Sequence, residues 1–165
     1  MVRYYNTKEE NIKIREASIE DCKVIVDLII EMAKYEKLDN EVIATEESIR
    51  ESIFIKERAK ALIIECEGKA IGYIIYFFNY STFNGAAGLY IEDIYIKEEY
   101  RGKGTGKDAF KLLAKIALEE DCKRMEWTCL DWNEPSRAFY KKLGAELMEG
   151  WTVHRLNESN IKKLI

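Results

Sequence analysis

The sequence predicts an α+β fold that forms a single domain over residues 1–165. Three observations support this prediction: short segments alternate as strands do, longer segments carry apolar residues at helical spacing, and no linker, repeat or low-complexity tract separates them. The predicted order of elements is β-α-α-β-β-β-α-β-α-β-β. A chain of 165 residues that is 47% hydrophobic buries enough surface for a core of its own.

The first half of the chain contains three predicted strands and two predicted helices. Ile12–Arg15 alternates as a strand, and Ser18–Asp21 resembles a capping box that opens a helix. Thr45 has the side chain of an N-cap and opens a second helix through about Phe54. A hairpin follows, in which a turn joins two apolar strands. Its strands are Ala61–Cys66 and Ile71–Phe78, and its turn is Glu67-Gly68-Lys69.

The second half alternates strands with helices. A strand, a glycine-rich turn and a long amphipathic helix come first, then another strand and helix, and two strands and a short helix end the chain. Pro135 suits the start of the second of these helices and Gly144 its end. In chain order the predicted elements are Leu89–Lys97, Gly104–Glu120, Met125–Leu130, Pro135–Leu143, Ala145–Met148, Trp151–Leu156 and Asn160–Ile165.

Charge and cysteine content argue against several classes of protein. The net charge of −4 and the pI near 5.3 are unlike those of a bulk nucleic-acid binder. No apolar run approaches the ~20 residues of a membrane helix, and the N-terminus lacks the apolar core of a signal peptide. The four cysteines form no C-x-x-C pair and His154 is the only histidine, so we expect no disulfide and no metal site. These features predict a cytoplasmic protein that binds no nucleic acid and no membrane.

The most informative local pattern is Arg101-Gly102-Lys103-Gly104-Thr105-Gly106-Lys107. Three glycines at alternate positions let the backbone bend and let a ligand approach main-chain N–H groups. Those N–H groups open a predicted helix, where unpaired donors and the helix dipole favour an anion. Lys103, Lys107 and Lys111 lie four residues apart and add positive charge. The pattern predicts a site for a phosphate or pyrophosphate.

Three other interpretations compete for this turn. Gly104-Thr105-Gly106-Lys107-Asp108-Ala109 matches the dinucleotide fingerprint G-x-G-x-x-A, but the charged segment Lys97–Arg101 separates it from the preceding strand. A P-loop needs Ser or Thr after its lysine, and Asp108 stands there. A glycine turn beside a solvated basic helix face would bind no ligand.

Arg101-x-x-Gly104-x-Gly106, placed after the strand Tyr90–Ile96, resembles the acetyl-CoA pyrophosphate loop of the GNAT N-acetyltransferase superfamily. A second block is similar to one of the diamine (spermidine/spermine) and thialysine acetyltransferase branch. It reads Asp131-Trp132-Asn133-Glu134-Pro135-Ser136-x-x-Phe139-Tyr140-Lys141-x-x-Gly144-Ala145, and further matches are Ala33-Lys34-Tyr35-Glu36, Tyr80-Ser81-Thr82-Phe83 and Gly150-Trp151. The similarity covers nearly the whole chain. It implies a three-layer GNAT fold, whose mixed, mostly antiparallel sheet is flanked by helices, and a homodimer.

The resemblance also implies roles for individual residues. The backbone of residues 94–96 would pair with the pantetheine arm of acetyl-CoA as an added strand would. The glycine turn would hold the pyrophosphate, and Tyr140 would be the general acid. The residues implied to bind the cofactor are Ile94, Tyr95, Ile96, Arg101, Gly102, Lys103, Gly104, Thr105, Gly106, Lys107, Asn133 and Ser136. Those implied to face a small amine substrate are Tyr35, Glu36, Glu92 and Glu149.

The chemistry of amine acetylation calls for these residue types. An alkyl amine with a pKa of about 10.4 is almost fully protonated at pH 7, so a carboxylate that takes its proton assists attack on the thioester. Glu92 and Asp93 are adjacent in a predicted strand and should point to opposite faces, and the resemblance favours Glu92 as the catalytic one. Tyr140 carries a proton at pH 7 that it can give to the departing thiolate. These roles predict direct transfer in a ternary complex without an acyl-enzyme.

The identity of the amine stays open. Ser81 stands where the diamine enzymes have an aspartate, and Tyr80–Phe83 is more similar to the thialysine relatives, so a polyamine, thialysine or a lysine-like amine all fit. The chain between Ala145 and Gly150 is shorter than in the family, which leaves the place of Glu149 open. Two other functions remain as alternatives: a non-catalytic acetyl-CoA sensor, and an acetyltransferase that acts on protein lysines or N-termini.

Overall fold

A computed structural model describes residues 2–165. The chain divides into two compact units, the first running through Thr128 and the second comprising Cys129–Ile165. The first unit contains a six-stranded sheet and the helices that follow its strands. The second unit contains two short helices and no strand. Each unit has its own local structure and is described by itself below.

The sheet has its strands in chain order, with β1 at one edge and β6 at the other. All neighbouring strands are antiparallel except β5 and β6, which are parallel. The strands are β1 (Tyr4–Asn6), β2 (Ile12–Glu16), β3 (Lys60–Cys66), β4 (Lys69–Ser81), β5 (Ala86–Ile96) and β6 (Met125–Trp127); the helices are α1 (Cys22–Glu36), α2 (Glu46–Ile49), α3 (Thr105–Glu119), α4 (Glu134–Lys142) and α5 (Glu158–Lys162). This mixed, mostly antiparallel sheet with flanking helices confirms the predicted fold class.

Helix α1 covers the middle of the sheet. The predicted capping box is present at the 3-10 turn Ile19–Asp21 that leads into this helix, where the Ser18 N–H donates to the Asp21 carboxylate over 2.6 Å. Ile25 and Leu28 on this helix are buried against the sheet residues Ile63 and Tyr73. The apolar residues at helical spacing in α1 and the continuous apolar run of β3 thus form one core.

Two predicted strands near the C-terminus are wrong. Ala145–Met148 and Trp151–Leu156 form no strand, and residues 146–157 are exposed. A strand needs a neighbouring backbone with which to exchange hydrogen bonds, and neither segment has one within residues 2–165. The Glu149 N–H instead donates to the Leu147 carbonyl two residues earlier, as in a turn. Their alternating apolar residues were therefore an insufficient signal.

Other differences concern the bounds of elements. The structure adds the edge strand β1, which the sequence analysis did not predict. Helix α2 is only four residues long, but it continues as a π-helix over Arg50–Ile55, so the predicted helical extent is correct and its geometry changes midway. Strand β6 ends at Trp127, three residues before the predicted end at Leu130.

The pairing of β5 changes abruptly at Glu92. On one side, Ile75 of β4 pairs with Asp93 while the next residue, Tyr76, pairs with Ile91, so Glu92 is the extra residue of a β-bulge. On the other side, β6 pairs only with Leu89–Ile91. Within the part of the chain that the structure describes, no strand pairs with residues 92–96 on the β6 side. The second half of β5 therefore presents an open backbone edge.

Candidate active site

The open edge of β5 includes the three residues predicted to pair with the cofactor arm. Tyr95 is buried, whereas Ile94 and Ile96 are half-buried. The strand lies unusually close to β4 at this point, because a Cβ added to Gly72 would lie 2.3 Å from the Tyr95 carbonyl oxygen. Gly72 thus lets β4 pack closely against β5 on one side, while no strand within residues 2–165 covers the other side.

The glycine turn lies between the end of β5 and the start of α3. Gly102 and Gly104 have φ angles of +76° and +92°, in the left-handed region that glycine adopts without strain. Gly104 is the N-cap of α3, and the first N–H groups of this 15-residue helix have no acceptor within the helix. The Thr105 hydroxyl oxygen, at the first position of the helix, is buried without a hydrogen-bond partner. Main-chain donors and the helix dipole therefore favour an anion at this turn.

Arg101 connects the turn to the residues on the predicted amine side. Its Nε donates to the Ile96 carbonyl oxygen over 2.7 Å. Its guanidinium carbon lies 4.3 Å from the ring centre of Tyr35 and 5.6 Å from that of Tyr95. Cation–π attraction and this hydrogen bond hold the guanidinium against the end of β5. A residue predicted for the pyrophosphate and a residue predicted for the amine therefore contact each other.

The lysines near the turn contribute less uniform charge than their spacing suggests. Lys111 Nζ lies 3.0 Å from the Asp108 carboxylate, which also accepts a hydrogen bond from the Lys8 N–H over 2.8 Å. Burial opposes ionisation of Asp108, but these two donors outweigh it and lower the pKa of that carboxyl. Lys103 Nζ lies 5.6 Å from the ring centre of Tyr100. Asp108 stands where a P-loop would have Ser or Thr. It neutralises the charge of Lys111 and accepts a hydrogen bond from the N-terminal segment.

The carboxylates on the predicted amine side differ strongly in their surroundings. Glu92 is exposed, whereas Asp93 accepts a hydrogen bond from the Tyr73 hydroxyl over 3.1 Å. Burial, opposed in part by this hydrogen bond and reinforced by the negative charges of Glu92 and Glu36, raises the pKa of Asp93 to about 6. Burial also raises the pKa of the half-buried Glu36. The negative charges of Glu92 and Glu36 therefore both act on the Asp93 carboxyl group.

Strict alternation along β5 predicts that Glu92 and Asp93 point to opposite faces. In the structure Glu92 is exposed and Asp93 is half-buried, and the pair lies at a β-bulge that the sequence did not predict. Sequence reasoning also missed Tyr73 completely. It lies within the apolar run of β4 and looks like an ordinary core residue, and only the register that pairs β4 with β5 brings its hydroxyl to Asp93.

The remaining predicted site residues lie in the second unit. Asn133 is the N-cap of α4, and its side-chain oxygen accepts a hydrogen bond from the Ser136 N–H over 3.3 Å. Tyr140 is half-buried near the end of this helix, with its ring centre 5.6 Å from that of Phe139. Glu149 is exposed beyond the helix. The roles predicted for these four residues stay predictions.

Ser81 stabilises the turn between β4 and β5. It is buried at the end of β4, and its hydroxyl oxygen accepts a hydrogen bond from the Asn84 N–H over 3.3 Å, which closes the turn to β5. An aspartate at this position would add a negative charge to the turn. The departure from the diamine enzymes at Ser81 thus coincides with a local hydrogen bond that holds the turn.

Comparison with known proteins decides the family. The model of the acetyltransferase (GNAT) family matches residues 25–145. The chain belongs to this family. Membership confirms the prediction of an N-acetyltransferase, and the family uses acetyl-CoA. The glycine turn and the open edge of β5 fit this group, because they offer N–H donors for a pyrophosphate and a free backbone for an extended arm.

Several relatives cover most of the chain. The thialysine N-epsilon-acetyltransferase of Bos taurus is 38% identical over 165 residues, which cover 93% of this chain and 96% of the relative. The human spermidine/spermine N(1)-acetyltransferase-like protein 1 is 31% identical over 94% of this chain and 24% of its own length. Among solved structures, an integron cassette protein of V. cholerae superposes with a TM-score of 0.78 and 25% identity, covering 93% of this chain and 97% of that one. These relatives confirm the predicted branch.

Residues 2–165 contain no helix that is long and apolar enough to cross a membrane. No group of three or more His, Cys, Asp or Glu side chains there could hold a metal ion. Cys22 and Cys122 are buried, and burial raises the pKa of both thiols.

The raised pKa of Asp93 predicts how stability depends on pH. The folded protein keeps this proton up to about pH 6, while the unfolded chain releases it near pH 4, so the wild-type protein loses stability as the pH rises from 4 to above 6. Asp93→Asn does not titrate and should be more stable than the wild type at pH 8 by on the order of 2 kcal/mol, with little difference at pH 4. Urea unfolding at both pH values measures the difference. Asp27→Asn, at an exposed site of α1, is the control. If the stability of the wild type and of Asp93→Asn changed in parallel with pH, the raised pKa of Asp93 would be contradicted.

Proposed function

We propose that this protein transfers the acetyl group of acetyl-CoA to the primary amine of a small cationic molecule, of the thialysine, lysine-like or polyamine class. The observation that carries the proposal is the open edge of β5, which has the glycine turn of α3 at one end and the carboxyl groups of Glu92 and Asp93 at the other. One strand thus joins an anion site to an acidic site. We further propose that both units form one acetyltransferase domain, that the protein acts as a homodimer, and that it is cytoplasmic.

The cofactor side is assigned to residues of β5 and of the turn. The backbone of Ile94–Ile96 would pair with the pantetheine arm, and the N–H groups from Gly102 to Lys107 would hold the pyrophosphate with Arg101. Acetyl-CoA, when bound, supplies a thioester carbonyl that an amine can attack. Arg101 lies against Tyr35 and Ile96. To bind the phosphates, its guanidinium must either turn away from these residues or contact the phosphates in its present position. Asn133 and Ser136 would contact the rest of the cofactor arm.

The amine side is assigned to acidic and aromatic residues. Glu36 and Glu92 would attract the ammonium group, Tyr35 would pack against it, and Glu149 would add a further negative charge. Glu92, exposed at the bulge, would take the proton that must leave before the nitrogen can attack. Tyr140 would give a proton to the departing sulfur. These steps constitute direct transfer from acetyl-CoA to amine with both substrates bound.

The acidity of the site supports a cationic substrate. Glu36 and Asp93 are partly or largely buried, and repulsion among the carboxyl groups falls when a cation approaches them. The relatives named for thialysine and for spermidine or spermine act, by their names, on amines of this kind. The turn at Ser81 lacks one anionic group of the diamine enzymes, which favours a substrate with fewer positive charges than spermine has.

A competition among amines tests the proposed function. The wild-type protein is incubated with acetyl-CoA and a pool of thialysine, lysine, ornithine, putrescine, spermidine and a lysine peptide, and mass spectrometry identifies the products. We expect acetylation of a free amine, with the amino-acid amines ahead of spermidine. Acetylation of the peptide alone would favour a protein acetyltransferase. No product, with acetyl-CoA bound, would favour the sensor function and overturn the proposal.

The turn is tested by adding a side chain to it. Gly104→Val should weaken acetyl-CoA binding at least 100-fold, because the valine occupies the space of the phosphates and disfavours the left-handed backbone. Isothermal titration calorimetry measures the affinity. Gly85→Val is the matched control, since Gly85 also has a positive φ, +61°, and open space around it, but lies in the turn between β4 and β5. Equal affinities in both variants would exclude the turn from the cofactor site.

The general acid is tested by removing one hydroxyl. Tyr140→Phe should lower kcat by about 100-fold while leaving the Kd for acetyl-CoA within twofold, because the lost proton matters only when sulfur departs. Steady-state kinetics with the best amine of the pool and calorimetry with acetyl-CoA provide the two numbers. An unchanged kcat would remove Tyr140 from the mechanism.

A further inference from the structure

We propose that Asp93 is the final acceptor of the amine's proton and that Tyr73 is a positioning residue that sets how readily Asp93 accepts it. The proposal rests on the proposed function and extends it to two residues near Glu92, Tyr73 on β4 and Asp93 on β5. Neither residue was implied to have a role by the resemblance. The geometry that supports it lies wholly within the first unit.

The pair is built into the core. Tyr73 has no exposed surface, and its ring is packed 6.3 Å from that of Tyr95. Its hydroxyl lies 3.1 Å from Oδ2 of Asp93 and 3.3 Å from Sδ of Met32, on α1. A tyrosine hydroxyl has one hydrogen to donate, and it can also accept one hydrogen bond. Asp93 lies next to Glu92, the extra residue of the bulge, so the pair begins where the open edge begins.

These contacts allow two hydrogen-bond arrangements without movement of the side chains. When Asp93 is ionised, the Tyr73 hydroxyl donates to its carboxylate, which is a stronger acceptor than a thioether. When Asp93 is protonated, its own O–H can donate to the tyrosine oxygen, and the tyrosine hydrogen can turn to the sulfur of Met32. In both forms the Tyr73 hydroxyl and the Asp93 carboxyl group stay hydrogen-bonded to each other. The pair can therefore take up and release a proton within a rigid core.

The charged and titratable groups around Asp93 poise it near neutral pH. Tyr73 approaches it from β4, Glu36 from α1, and Glu92 is its neighbour on β5, while Tyr95 on β5 acts on Tyr73. Burial and the two glutamates favour the protonated acid, and the tyrosine hydrogen bond favours the carboxylate. The resulting pKa of about 6 suits a base that must be ionised at pH 7 and still hold a proton.

The substrate ammonium carries two protons that the product amide does not. One N–H bond breaks first, its electron pair stays on nitrogen, which then attacks the thioester carbonyl, and this proton forms an O–H bond on the Asp93 carboxylate, either directly or by way of the exposed Glu92 carboxylate. The second N–H proton leaves as the amide forms and replaces the proton that Tyr140 gives to the departing sulfur. After the reaction the proton leaves Asp93 for water, and the carboxylate returns to its hydrogen bond from Tyr73.

Tyr73→Phe tests the pair, because it removes the hydrogen bond that favours the carboxylate and leaves the ring in place. The acid limb of the profile of kcat/KM against pH, expected near pH 6 in the wild type, should move up by about one pH unit. The ¹³C resonance of the Asp93 carboxyl, followed by NMR in the absence of substrates, should titrate at a higher pH by the same amount. Asp93→Asn should lower kcat about 100-fold at pH 8 and abolish this limb.

Tyr76→Phe is the matched control. Tyr76 is also buried on β4, and its ring meets that of Phe78 edge-on, but it has no contact with Asp93 among the hydrogen bonds of residues 2–165. It should shift neither the acid limb nor the Asp93 resonance. A shift in both variants would show that loss of any buried tyrosine hydroxyl on β4, and not of the hydrogen bond to Asp93, moves the limb, and would overturn the role of Tyr73.

The remaining outcomes separate this inference from the proposed function. If the Asp93 resonance moves in Tyr73→Phe and the acid limb does not, Asp93 is not the proton acceptor, although the acetyltransferase reaction stands. If neither moves, the pair has no role in setting proton affinity. If the wild-type protein acetylates none of the amines in the pool, the proposed function fails first, and the proton-acceptor role fails with it.

Discussion

The structure of the site depends on the point at which the pairing of β5 with β6 ends. The two strands exchange hydrogen bonds only as far as Ile91 and Trp127, and the next residue of β5 is the bulged Glu92. A sheet that continued its pairing to Ile96 would leave no backbone for an extended ligand. The open edge and the bulge that contains Glu92 therefore begin at the same position of β5.

A half-buried acid at this point costs stability. An apolar residue in place of Asp93 would increase the stability of the fold. Burial opposes the ionisation of the Asp93 carboxyl group, and the surrounding glutamates repel its negative charge. Its hydrogen bond from Tyr73 compensates in part. A charged group retained at such a cost is typical of functional sites, and here it lies on the strand that also leads to the glycine turn. The carboxyl group of Asp93 thus lowers the stability of the fold while it provides an ionisable group at the site.

The sequence was sufficient for the elements that local patterns define. The apolar stripe and capping box predicted α1, the two apolar segments and the Gly68 turn predicted the β3–β4 hairpin, and the glycine spacing predicted the turn before α3. The prediction of strands within residues 145–156 was wrong because these alternating segments have no neighbouring strand, in the described part of the chain, with which to exchange hydrogen bonds. The bulge and the contact between Tyr73 and Asp93 depend on register between strands, which no local pattern encodes. The contact between Arg101 and Tyr35 joins residues far apart in the chain and was equally hidden.

The proposed cofactor site joins the open edge of β5 to the glycine turn. Amide hydrogen exchange with and without CoA, resolved to single residues by NMR, measures whether both segments bind it. We expect slower exchange at the amides within residues 94–96 and 102–107 when CoA is bound, with little change in β1, β2 and β3. Protection confined to another region of the chain, or unchanged exchange in both segments at saturating CoA, would contradict it.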